Sequence, residues 1–200
     1  MENVVKKEAD EQGGEVSLNL EALEKQVTDL KAQLDGLVKN SPEDKLSMIV
    51  FSGDLDKALA SFIIATGAVA MGMDVVMFFT FWGTPILRKK DKNVGGKDFM
   101  GKMFGTMLPK GIDQVKLSKM NMGGMGTAMM KSLMNKKNVA SLDQMLEMAE
   151  ELGVKIYVCE MSMDLMGFKR EEMIDYKHMD FCGVAKFLEE AHGSRIQLFI

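Results

Sequence analysis

Residues 141–159, SLDQMLEMAEELGVKIYVC, predict a helix followed directly by a strand. Ser141 and Gln144 have the spacing of a capping box, in which each side chain binds the backbone of the other residue at a helix start. Apolar residues then recur with helical spacing until Gly153 ends the helix. The run Lys155–Cys159 is short and apolar, as in a strand that is buried on both faces, and Cys159 is its last residue.

The same alternation of strand and helix extends over residues 45–200. Further strands are predicted at residues 48–51, 75–81 and 196–200. Helices lie between the strands, and we expect Asp54 to cap the first of them and the last to span residues 181–192. Strands separated by helices favour an α/β domain with a doubly wound parallel sheet.

A heptad pattern precedes this domain. Apolar residues alternate at spacings of four and three, with charged residues between them, at Val16, Leu20, Leu23, Val27, Leu30, Leu34 and Leu37. Such a seam is typical of a coiled coil, so we predict a coiled-coil helix and linker at residues 16–44 that forms a homo-oligomer. A disordered tail is expected at residues 1–15. The alternative is a helix that packs across its own domain.

Composition argues against several classes of protein. The formal net charge of -4 argues against nucleic-acid binding, which needs an excess of Lys and Arg. Two cysteines are too few for a disulfide-stapled secreted domain and fit a reducing cytoplasm. The opening residues lack the apolar stretch of a secretory signal, and Asp74 interrupts the apolar region at residues 58–87, which argues against a membrane span. We therefore expect a cytoplasmic protein.

Residues 88–138 form an insertion of different composition, the Met-rich insertion. Nine of the 21 methionines lie between Met100 and Met134, mixed with glycine and lysine. Methionine is adaptable, so the insertion either presents a surface to changing partners or fills the core through loosely packed helices. Its lysines favour an acidic partner or an anionic ligand, and a solvated surface explains them equally well.

Cys159 is the strongest candidate for chemistry. Reactive groups of parallel α/β sheets gather beyond the carboxyl ends of strands, and a helix that begins near Met161 would favour a thiolate at this point. Against this, cysteine is a common core residue, and the charge of Glu160 disfavours a neighbouring anion. Cys182, in the last predicted helix, is interpreted as a core residue or as a resolving thiol.

No metal or cofactor site is predicted. The two histidines and two cysteines lack the spacing of a zinc site. The glycines and lysines of residues 96–102 are spaced as in a phosphate-binding loop. However, Met103 stands where Ser or Thr is required, and no strand precedes the loop.

Four blocks of the sequence resemble one known family. They are FSGDLDKA at 51–58, FFTFWG at 78–83, LSKMNMGGMG at 117–126 and CEMSMDLMG at 159–167. In this order they are similar to the longer, Met-rich branch of the DsrE/DsrF-like family, over residues 46–200. The sequence departs from the family at Glu160, where a small or neutral residue is common, and at Cys182, where glycine is frequent.

The resemblance implies a flavodoxin-like sheet and an oligomer. It also implies that Cys159 carries sulfane sulfur as a persulfide and exchanges it with TusA-like or rhodanese-like partners. We therefore predict a sulfur-relay protein, with possible sulfurtransferase activity, in which Cys159 is open to solvent. Its pocket is formed by Gly53, Asp54, Trp82, Met161 and Ser162.

Two other functions remain open. One is a non-catalytic oligomeric module that binds a partner or a membrane surface through the Met-rich insertion. It predicts ordinary reactivity at Cys159. The other is a nucleotide- or flavin-binding protein built on the same sheet.

Overall fold

The computed structural model describes residues 22–38, 41–90, 92, 94–97 and 99–200. The chain forms two compact units, Met1–Ser41 and Pro42–Ile200. In the first unit, helix α1 spans residues 22–38, and the apolar heptad positions within it are exposed in the single chain: Leu23, Val27, Leu30, Leu34 and Leu37. Val16, Leu20 and the predicted tail lie outside the described residues, so the coiled coil and its oligomer stay predictions.

The second unit is built on a parallel sheet. Its strands are β1 Glu43–Val50, β2 Asp74–Phe79, β3 Lys155–Cys159, β4 Met179–Cys182 and β5 Ser194–Phe199. They lie in the order β4-β3-β2-β1-β5, and every pairing is parallel. After β4 the chain crosses to the far side of β1, as in doubly wound folds. The predicted α/β fold with a parallel sheet is therefore confirmed.

Helices connect the strands. They are α2 Leu55–Ala70, α3 Phe99–Met107, α4 Met125–Lys136, α5 Leu142–Glu151, α6 Glu160–Met166 and α7 Val184–His192, and a 3-10 segment, Phe81–Leu87, follows β2. The capping box of Ser141 and Gln144 is present at the start of α5. Among the described residues, no helix combines the length and apolar character needed to cross a membrane.

Cys182 lies in a strand, so its assignment to the last helix is wrong. It is the last residue of β4, and Gly183 separates it from α7. The strand has only four residues at one edge of the sheet, and their burial does not alternate clearly. So short a run gives little periodicity, and its apolar residues merge with the helical pattern that follows.

Alternating side chains give the sheet two packed faces. Met77 and Phe79 point into the larger core, which includes buried residues of α2 and α5. Val76 and Phe78 point to the opposite face, where α7 packs. There the ring of Phe78 stacks on Phe187, with 5.1 Å between ring centroids. We call this second side the α7 face.

A buried ion-pair cluster holds the Met-rich insertion at its start. The guanidinium of Arg88 lies 3.1 Å from the carboxylate of Glu172, which also pairs with Lys97. Arg88 further donates hydrogen bonds to the carbonyl oxygens of Gly105 and Pro109 and lies over the ring of Phe168. These contacts join the insertion to the segment between α6 and β4.

Glu172→Gln should lower the free energy of unfolding by about 3–5 kcal/mol, because it leaves the buried Arg88 without a charged partner. The matched control is Glu171→Gln at the neighbouring exposed position, with an expected change within about 0.5 kcal/mol. Urea denaturation followed by circular dichroism measures both. Equal losses in the two variants would contradict the role assigned to the cluster.

Candidate functional site

Cys159 lies at the carboxyl end of β3, as the sequence predicts. It occupies the N-cap position of α6, with an extended backbone and no capping hydrogen bond from its side chain. The residue is only 3% exposed and packs on the α7 face with Val76, Phe78 and Phe187. The expectation of a thiol open to solvent is therefore wrong for the single chain, because α7 covers this side of the sheet.

Cys182 is the neighbour of Cys159 across the sheet. The two are direct register partners in the parallel pairing of β3 and β4, and both pack on the α7 face. Both are free thiols, and Cys182 is half-buried. Burial, followed by the neighbouring groups of Asp180, Cys159 and Glu160, raises the pKa of Cys182 to about 11. Cys182 is therefore a neutral thiol at neutral pH.

Glu160 is the acidic residue that follows Cys159. Its carboxylate forms an ion pair with Arg170. The guanidinium of Arg170 lies over the ring of Phe181, 4.9 Å from the centroid. The negative charge that the sequence places beside Cys159 is thus partly balanced by a cation.

Ser162 and Met161, both predicted to line the pocket, differ in their surroundings. Ser162 is fully buried, and its hydroxyl accepts a hydrogen bond from the backbone N–H of Phe81 at 3.0 Å and lies 2.8 Å from the Thr80 hydroxyl. It therefore fixes α6 to the end of β2. Met161 is 53% exposed. Ser162 positions the helix after Cys159, whereas Met161 faces solvent.

A cavity of about 860 Å³ opens beyond the carboxyl end of β1. Gly53, Asp54 and Trp82 line it together with residues of the Met-rich insertion. Cys159 is not among its described lining residues. The structure therefore brings three of the predicted pocket residues together but does not place the predicted thiol with them.

The turn between β1 and α2 shapes one wall of this cavity. Asp54 precedes α2 but makes no side-chain cap to it. Instead, its carboxylate accepts a hydrogen bond from the Ser52 hydroxyl at 2.8 Å and pairs with Lys57 at 3.1 Å. Gly53 packs directly against the backbone carbonyl of Trp82. The absence of a side chain at Gly53 is what allows the two strand ends to approach.

Sequence reasoning missed a polar network on the α7 face. The hydroxyl of Tyr157 donates to Glu190 at 2.9 Å, and Lys45 forms an ion pair with the same carboxylate. The hydrogen bond from Lys45 lowers the pKa of Glu190, whereas burial raises that of Tyr157. The network holds α7 against β1 and β3, over Cys159. Its only sequence signal is Tyr157, two residues before Cys159 in the predicted strand.

The two histidines lie in different elements. His178 precedes β4, and His192 is the last residue of α7. In the part of the chain that the structure describes, no group of three or more His, Cys, Asp or Glu residues is arranged to hold a metal ion.

Comparison with known proteins identifies the family. The model of the DsrE/DsrF/DrsH-like family matches residues 42–199. The chain belongs to this family. An uncharacterized protein of Bacillus subtilis, YrkE, is 47% identical over 156 residues, which cover 78% of this chain and 96% of that protein. The sulfur carrier protein DsrE2 of Allochromatium vinosum is 38% identical over 166 residues, which cover 79% of this chain and 99% of that protein.

A comparison of structures finds the crystal structure of the YchN protein from E. coli. It aligns with a TM-score of 0.48 at 10% sequence identity. The alignment covers 78% of this chain and 98% of that chain.

Gly53→Ala should lower the free energy of unfolding by about 1–3 kcal/mol, because the new methyl group would overlap the backbone carbonyl of Trp82. The control is Gly67→Ala in α2, where a methyl group meets no atom within 4 Å. That change should stabilise the helix by about 0.5–1 kcal/mol. Urea denaturation measures both, and a stabilised Gly53→Ala variant would refute the close approach.

Cys182 in the native protein should react with iodoacetamide at pH 8 more slowly than in the unfolded chain. The rise of its pKa from 9.0 to about 11 reduces the thiolate fraction. This reduction is about 100-fold, and the greater nucleophilicity of a more basic thiolate recovers about tenfold of it. The rate is measured by peptide mass spectrometry with and without urea.

Asp180→Asn should speed the native reaction of Cys182, because it removes a charge that raises the pKa of this thiol. Glu171→Gln, an exposed charge change elsewhere, should leave the rate unchanged. A native rate equal to that of the unfolded chain would contradict the assigned environment.

Proposed function

We propose that this protein is a sulfur-relay protein that carries a sulfane sulfur on Cys159 as a persulfide and passes it to an acceptor thiol. The observation that carries the proposal is the position of Cys159, which ends β3 at the start of α6. It is supported by membership of the DsrE/DsrF/DrsH-like family and by 38% identity to a protein named as a sulfur carrier.

The chemistry is thiolate attack on a sulfane sulfur. The thiolate of Cys159 forms a bond to the sulfane sulfur of a donor, and the donor thiolate leaves with the electron pair of the broken bond. In the second step an acceptor thiolate attacks the same sulfur and Cys159 leaves. The net result is the transfer of one sulfur atom from donor to acceptor, and Cys159 returns to its thiolate form.

Burial of Cys159 suits a carrier. A persulfide enclosed by apolar side chains is shielded from oxidants, because susceptibility to oxidation follows exposure. The end of β4 is open to solvent: Cys182 is half-buried, Gly183 is exposed, and a side chain added at Gly183 would meet no atom within 4 Å. Donor and acceptor thiols therefore approach along this edge of the sheet.

The proposed exchange partners are TusA-like or rhodanese-like sulfur carriers, which the resemblance of the sequence implies. The cavity beyond β1 is lined by Gly53, Asp54 and Trp82, and Cys159 is not among its described lining residues. The relay therefore depends on the end of β3 and on the β4 edge.

The test uses the single-cysteine variant Cys182→Ser, treated with inorganic polysulfide and then freed of excess reagent. Intact-mass spectrometry without reductant should find one added sulfur atom per chain, removed by dithiothreitol. Reduced glutathione should then accept the sulfur as glutathione persulfide, leaving the Cys159 thiol.

Cys159→Ser is the matched control, because it retains Cys182 and should gain no sulfur. Circular dichroism verifies that both variants are folded. The proposal fails if Cys182→Ser does not load, or if both variants load equally.

A further inference from the structure

Cys159 and Cys182 are placed as a potential disulfide pair. They are register partners on neighbouring parallel strands. Neighbouring strands lie about 4.8 Å apart, and the α-carbons of disulfide-bonded cysteines are usually roughly 4.4–6.8 Å apart. Both side chains also pack on the α7 face. The sheet register therefore makes the two cysteines direct neighbours on one face of the sheet.

The chain that follows Cys182 has room to adjust. Both cysteines are the last residues of their strands, so neither lies in the middle of a hydrogen-bonded ladder. Cys182 is followed by Gly183, where an added side chain would meet no atom within 4 Å. Small shifts at the β4 end therefore change the distance between the sulfurs without disturbing the core.

We propose that Cys182 resolves the persulfide on Cys159, so that the protein releases the bound sulfane sulfur as hydrosulfide and closes a Cys159–Cys182 disulfide. This inference rests on the proposed function, because it takes the Cys159 persulfide as its substrate. It adds a second outcome to the relay: when no acceptor thiol arrives, the sulfane sulfur leaves the protein as hydrosulfide.

The step balances without an outside oxidant. The thiolate of Cys182 attacks Sγ of Cys159, and the bond to the sulfane sulfur breaks. Hydrosulfide leaves with the electron pair, and the proton lost by Cys182 goes to solvent. The sulfane sulfur is reduced to sulfide while the two cysteine sulfurs are oxidised to the disulfide. A dithiol reductant then supplies two electrons and two protons and restores both thiols.

The position of Cys182 favours this outcome over migration of the sulfur. Cys182 is the register partner of Cys159, so its thiolate lies beside Sγ, the inner sulfur of the persulfide. Attack there expels hydrosulfide, which is a weaker base than a cysteine thiolate and leaves readily. An acceptor thiol from solvent instead meets the outer sulfur and expels the Cys159 thiolate.

The surroundings of Cys182 control the rate of this step through the fraction of Cys182 that is thiolate. Burial, Asp180 on β4 and Glu160 on α6 disfavour its thiolate, and Lys186 on α7 favours it. Proximity offsets the small thiolate fraction, since a positioned group reacts as though at very high concentration. An acceptor thiol that reaches Cys159 first still takes the sulfur.

The experiment compares the wild type with Cys182→Ser and Cys182→Ala, each loaded with one equivalent of inorganic polysulfide and then rapidly freed of reagent and of the hydrosulfide that loading itself expels. Hydrosulfide is trapped with monobromobimane, and unreduced peptides are mapped by mass spectrometry. The wild type should release hydrosulfide at least about tenfold faster than either variant. It should also yield a cross-linked peptide that contains Cys159 and Cys182. Cys159→Ser should release none.

Independent evidence comes from treating the unloaded wild type with diamide, which should form the same disulfide within one chain. A wild-type persulfide as long-lived as that of Cys182→Ser overturns the inference, as does sulfur found on Cys182 or disulfide formation only between chains. If Cys182→Ser loads normally, such a result leaves the proposed function standing. Failure of Cys182→Ser to load overturns both.

Discussion

Parallel pairing of β3 between β2 and β4 determines where the reactive groups lie. The register aligns Phe79 with Val158 and Cys159 with Cys182, so that the carboxyl ends of these three strands lie side by side. Because side chains alternate along a strand, a shift of one residue would turn Cys159 to the opposite face. The backbone hydrogen bonds of the sheet thus decide which groups surround the thiol.

The fold separates the two features that the sequence joins into one pocket. Cys159 lies on the face covered by α7, and Glu190 holds that helix through Tyr157 and Lys45. The cavity with Gly53 lies beyond β1, among residues of the Met-rich insertion. The buried thiol of Cys159 and the open cavity beyond β1 are therefore two distinct features of one domain.

Local signals in the sequence were strong enough to predict much of the fold. The capping box at Ser141 and the strand that ends at Cys159 are encoded within a few residues, and both are present. The four-residue β4 has no such signal, so Cys182 was assigned to a helix. The cover over Cys159 and its pairing with Cys182 depend on contacts between distant segments, which periodicity does not report.

The Met-rich insertion illustrates a further limit of sequence reasoning. Composition alone left open whether its methionines fill the core or face a partner. In the structure many are exposed, including Met107, Met120 and Met125, whereas the anchor of the insertion is the buried pair of Arg88 and Glu172. The start of the insertion is fixed by charge, and its later part presents flexible apolar side chains to solvent.

The position of β4 at the rim has a consequence for hydrogen exchange. A strand bonded on one side and only four residues long separates from the sheet at a smaller free-energy cost than a central strand, because fewer bonds and contacts are lost. Such subglobal opening would expose the side of Cys159 that faces β4, while β1 and β2 stay protected. The free-energy cost of separating β4 from β3 therefore sets how often solvent reaches Cys159 from this side.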